Sequence, residues 1–94
     1  MAKSLACQVH GYHWPRPRSL DDHHIYPLGM GGLDVRSNVV RVCPTGHRNI
    51  HAAIRALVAG GALSGTRREI MLARSGFEQW RAAGEPTVQA GFFQ

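Results

Sequence analysis

The chain has 94 residues, 44% of them hydrophobic, and a formal net charge of +5 carried by ten arginines and one lysine. That length suits one small domain with a modest core, and that apolar content excludes a disordered chain. Two cysteines are too few for a disulfide framework; with no apolar signal-peptide core and no membrane span of roughly 18 apolar residues, a reducing cytoplasm is the expected setting. The charge points to a polyanionic partner, nucleic acid first, because the planar guanidinium fork matches phosphate oxygens. The plainer reading is a solvated basic surface.

Residues 1–13 form a lead-in that contains Cys7 and His10. Their separation is a metal-knuckle spacing, and with Cys43 they are candidates for a structural zinc, with His13 as a fourth donor. Against it, the position three after Cys43 is Gly46, which has no ligand atom. Cys7 as a small buried thiol and His10 as a surface residue is the alternative. In the segment 14–18 (WPRPR), each proline biases its predecessor away from helix. Arg16 and Arg18 then lie on one side of an extended segment as candidate phosphate contacts, beside Arg41 and Arg48 further on.

Residues 19–26 read as a strand ending in a turn, so His23 and Ile25 face one way and His24 and Tyr26 the other. Two adjacent histidines on a strand therefore cannot do the same job. Residues 27–37 are a glycine-rich loop that matches no phosphate-loop pattern and reads as the connection of a hairpin. The β-branched run 38–43 is the second strand, stopped by Pro44. Thr45 caps a helix over 46–59, ended by Gly60 and Gly61. Ile50, Ile54 and Leu57 form its core-facing stripe, while His47 and His51, one turn apart, share a neighbouring face. The segments 66–69 (TRRE) and 75–78 (SGFE) are both capping-box patterns, each predicting a short helix. Ile70, Leu72, Phe77 and Trp80 are expected in the core. The expected organisation is one domain, with a core motif at 19–59, a helical brace at 64–84 and a tail at 85–94.

Strand, loop, strand and helix bring the end of the first strand against the first turn of the helix. His23, His47 and His51 can then converge on one divalent ion, leaving coordination positions open for water and a phosphate oxygen. His24, on the other side of its strand, is free to act as a general base, since a histidine titrates near neutral pH. Asn38 can hold the loop and His24 in position through its amide. Asp21 has two readings: it orients an arginine near the phosphate, or it has no role. The assembled parts describe phosphodiester hydrolysis.

The pattern HHI-x-PLG-x-GG-x-D-x3-N-V-V-x-V-C-P-x2-H-x3-H resembles the HNH endonuclease family, over about a third of the chain. The resemblance implies an α+β fold with a ββα-metal core, a two-stranded antiparallel hairpin plus helix, followed by supporting helices. His24, Asn38 and His47 match the three residues that name the family. By the same resemblance His24 is the general base, Asn38 positions it, and His23, His47 and His51 hold the ion, His51 as in bacterial DNase toxins of the colicin class. Many relatives carry two Cys-x2-Cys pairs around a structural zinc, a pattern incomplete here.

The implied activity is a DNA endonuclease using zinc, nickel, cobalt, manganese or magnesium, with weak sequence specificity or specificity supplied by a partner. Small free-standing relatives occur in phage genomes, some beside packaging terminases, which implies a role in phage DNA packaging. The competing readings are a non-catalytic, metal-stabilised nucleic-acid-binding module and a protein-interaction domain whose metal serves folding alone.

Overall fold

Two short strands and two 16-residue helices make up an α+β fold in the computed structural model, which describes Cys7 and residues 20–89. Strand β1 (Asp21–His24) pairs antiparallel with β2 (Val39–Val42), Asp21 opposite Val42 and His24 opposite Val39. Partners across a ladder share a face. Asp21 and His23 therefore stand on the side of Val42 and Val40, and His23 is fully buried there. Asp22 and His24 stand on the other side, where Arg41 Nε lies 3.6 Å from the Asp22 carboxylate.

The connection is tied by its own backbone and by the side chains of Tyr26 and Asn38. The Pro27 carbonyl accepts from Met30 N and Gly32 N, and the Tyr26 hydroxyl donates to the Met30 carbonyl at 2.8 Å. A Cβ on Gly32 would collide with the Tyr26 carbonyl oxygen, so the close chain approach requires glycine there. Met30, the anchor of the loop, is fully buried.

Helix α1 (Pro44–Ala59) starts two residues before the expected point. Pro44 does end the strand, but it occupies the first helical turn, where its missing N–H is no loss and its φ already suits a helix. Cys43, not Thr45, is the cap: its Sγ accepts from Gly46 N at 3.3 Å. Gly60, with φ of 74°, closes the helix in the left-handed conformation.

Helix α2 (Arg67–Ala82) is one continuous helix, where the sequence suggests two. The first capping box is present: Thr66 Oγ1 accepts from Glu69 N at 3.1 Å and the Glu69 carboxylate accepts from Thr66 N at 2.7 Å. The second is not a helix start, because Ser75 lies mid-helix. Gly76 sits there because α2 passes against the end of β1. A Cβ at Gly76 would run into the Ile25 carbonyl oxygen.

Ile50, Ile54, Val42 and Met30 form the centre of the core, with Ala53 and Ala73 as the small residues. Leu57, Leu72 and Phe77 pack against its edge. Ile70 departs from expectation: it lines a surface groove with Arg67, Met71 and Arg74. Ala73 and Gly76 take the inward positions instead, which lets the helix approach closely. Trp80 is 8% exposed, with its indole N–H donating to the Pro86 carbonyl at 2.7 Å, so it serves packing. Glu69 is fully buried and accepts from Asn49 Nδ2 at 3.0 Å, joining α2 to α1. Among the described residues, no helix is long and apolar enough to cross a membrane.

Candidate metal centre

Strand alternation turns His23 inward, and helical spacing stacks His47 and His51 on the α1 face that meets it. The three rings pack mutually, with centroids 5.3 Å apart for His23–His47, 5.1 Å for His23–His51 and 4.9 Å for His47–His51. One ligand nitrogen from each lies within 4.8 Å of the others, close enough to hold a metal ion. Both ring nitrogens of His23 are buried with no hydrogen-bond partner among the described residues. Each such nitrogen costs about 1–3 kcal/mol if nothing replaces its lost water.

The spacing is compatible with an ion as well as with a ring-to-ring hydrogen bond. His47 Nε2 and His51 Nε2 are 3.2 Å apart. Two nitrogens at the usual zinc distance and a tetrahedral angle stand about 3.3–3.4 Å apart, given Zn–N bonds of about 2.0–2.1 Å. Neutral imidazoles are also the form that ligates. Burial, reinforced by the neighbouring His51, His47 and His24, lowers the His23 pKa to about 3. Burial, with His47 and Arg55 adding to it, lowers that of His51 to about 4. Both are neutral throughout the physiological range.

His47 differs from the other two. Its Nδ1 is 3.1 Å from Asp21 Oδ2, across from the start of β1. That contact answers the question of Asp21's neighbour: it faces a histidine, and the cross-strand arginine goes to Asp22. Asp21 and His23 are two apart on one strand, so period-two alternation could have placed both on this side.

His24 stands apart from the cluster on the outer face of β1, 23% exposed, with Nε2 2.9 Å from Asp34 Oδ1. A carboxylate only accepts, so neutral His24 carries its proton on Nε2 and keeps the Nδ1 lone pair. Asp34, itself 80% exposed, lies in the motif but drew no role from the sequence. Asn38 lies at the far end of the loop. Its Nδ2 donates to the carbonyls of Tyr26 at 2.9 Å and Leu33 at 2.8 Å, and its Oδ1 accepts from Tyr26 N at 2.9 Å. Among the described residues the amide makes no hydrogen bond to His24; it fixes the backbone two residues beyond it.

The Cys7 and Cys43 thiols meet across the N-terminus of α1: Cys7 Sγ accepts from Cys43 N at 3.2 Å. Burial raises the Cys43 pKa, only partly opposed by the Gly46 N–H that its sulfur accepts. His10, His13, Arg16 and Arg18 lie outside the described residues, so the four-donor zinc reading has two donors in view. Arg41 and Arg48 are both exposed, Arg41 on the His24 face of the hairpin and Arg48 on α1 directly after His47.

A 32-residue stretch, 34% of the chain, is 47% identical to part of the type IV methyl-directed restriction enzyme EcoKMcrA of Escherichia coli (strain K12). The chain spans 12% of the length of that enzyme. No protein-family profile matches the chain, and no solved structure does.

Proposed function

We propose that the protein is a metal-dependent DNA endonuclease of the HNH type. The observation that carries the reading is the convergence of one nitrogen each from His23, His47 and His51 to within 4.8 Å, with both His23 ring nitrogens buried and without a hydrogen-bond partner among the described residues. The local similarity to a restriction enzyme supports DNA as the substrate. His23, His47 and His51 would hold one divalent ion, which when bound supplies charge stabilisation to a phosphate and its leaving oxygen.

His24 is the general base. With Nε2–H held by Asp34, Nδ1 takes the proton from the attacking water. Asn38 keeps the loop folded against the strand end, which fixes the backbone on which His24 sits. Arg41 and Arg48 are exposed guanidinium groups able to meet the DNA backbone, and their contribution is sequence-independent. A role beside phage packaging terminases rests on the family resemblance alone.

The test is a supercoiled-plasmid assay on chelator-treated protein, with zinc, nickel, cobalt, manganese and magnesium added back separately. Nicking or linearisation is expected only after an ion is restored. The full burial of His23 also suits an ion that serves folding alone. DNA binding without cleavage under every ion would select that reading, a metal-stabilised nucleic-acid-binding module.

A further inference from the structure

We infer that Asp21 is a positioning residue that holds His47 in one tautomer and so presents its Nε2 to the histidine cluster. Asp21 Oδ2 and His47 Nδ1 are 3.1 Å apart, and the carboxylate can only accept, so Nδ1 carries the proton. The lone pair of His47 is then on Nε2, the atom that lies 3.2 Å from His51 Nε2. In water, neutral imidazole favours the opposite tautomer, with the proton on Nε2. Left to itself, His47 would block its own ligand atom for much of the time.

The placement follows from the fold. Asp21 opposite Val42 and His23 opposite Val40 share the inward face of β1, so a single strand supplies both a cluster member and the group that orients another. His47 accordingly has its ring fixed from both ends, by Asp21 at Nδ1 and by the cluster at Nε2. A carboxylate at that position also places a negative charge next to the cluster, which would offset part of a divalent cation's charge. His23 has no such partner among the described residues and is held by burial instead. The consequence for an ion rests on the proposed metal-dependent function; the tautomer does not.

The two parts are therefore measured separately on the full chain. Long-range nitrogen–proton NMR correlations of the histidine rings, on metal-free protein at neutral pH, report the His47 tautomer directly. The expected result is a single Nδ1–H form in the wild type, a shift towards Nε2–H in Asp21→Ala, and recovery of the Nδ1–H form in Asp21→Glu. Competition titrations with zinc and nickel should then show affinity weakened about 10- to 100-fold in Asp21→Ala. Asp21→Asn keeps an acceptor oxygen without the charge and should keep the tautomer while losing part of the affinity. It also serves as the near-isosteric variant if Asp21→Ala is poorly folded. An Nε2–H form of His47 in the wild type, or the same tautomer in Asp21→Ala as in the wild type, overturns the assignment. So does unchanged metal affinity in Asp21→Ala. A wild-type chain with the expected tautomer but no affinity for either ion upholds the orienting contact and sinks the metal-dependent function.

Discussion

Asn38 and Tyr26 exchange hydrogen bonds side chain to backbone, the amide nitrogen donating to the Tyr26 carbonyl and the amide oxygen accepting from the Tyr26 N–H, each at 2.9 Å. The Ile25 N–H adds a third tie, to the Asn38 carbonyl at 2.8 Å. One side chain thus closes the loop between the strands and sets the direction in which the chain leaves His24. Asn38→Ala should destabilise the protein by about 1–3 kcal/mol, because it removes the partners of two Tyr26 backbone groups. Urea unfolding measures the loss, and faster hydrogen exchange at the Tyr26 amide localises it. Asn38→Asp keeps the acceptor but sets a carboxylate oxygen against the Tyr26 and Leu33 carbonyls, so it should destabilise at least as much.

His24 lies outside the three-histidine cluster, and its role separates from theirs for that reason. His24→Ala should reduce plasmid cleavage about 100- to 10,000-fold, the usual contribution of a general base. Ion affinity and DNA affinity should stay within about twofold of wild type on this argument, since no cluster contact is lost. Cleavage at the wild-type rate would remove His24 from the mechanism.

The metal-free protein should lose stability as pH falls from about 6.5 towards 4. The sign follows from the lowered pKa values: His23 near 3 and His51 near 4 stay neutral in the fold when the unfolded chain already binds protons. The unfolded state therefore holds more protons across that window, and stability rises with pH. Well above about 7 the contribution of these two histidines vanishes, since they are protonated in neither state. Chemical denaturation at a series of pH values gives the slope, and His23→Leu should flatten it.

Gly76→Ala tests the close passage of α2 against β1. In an isolated helix alanine is better than glycine by about 0.5–1 kcal/mol. Here the added methyl meets the Ile25 carbonyl, backbone that cannot swing aside. The clash should win, with a net destabilisation of about 1–3 kcal/mol in thermal or urea unfolding. A more stable variant would mean that the helix sits further from the strand than the structure places it.

What was legible in the sequence is what repeats locally. The β-branched run up to Val42 and the alternation of His23 and His24 need only the two-residue period of a strand, and His47 and His51 need only the helical turn. The capping box at Thr66 and Glu69 is likewise a four-residue fact. Other features depend on partners far along the chain. Pro44 reads as a stop, and only its context shows that it opens the helix capped by Cys43. The segment 75–78 reads as a second helix start, because the strand that Gly76 must clear lies some fifty residues earlier. The acceptor for the His24 ring, Asp34, and the partner of His47, Asp21, come from hairpin folding and from docking of α1 on the strands. Neither can be read from spacing along one element.

The contact between Gly76 and Ile25 bears on how small a working fragment can be. A ββα unit cut after Ala59 would still contain every histidine of the cluster and Asn38. It would also uncover the backbone beyond His24 and the inner face of α1, and leave Asn49 without its carboxylate partner. Excision at that point removes a wall from the strand that carries His23 and His24. The transplantable unit therefore extends through α2, so grafting the motif into another protein means carrying the second helix with it.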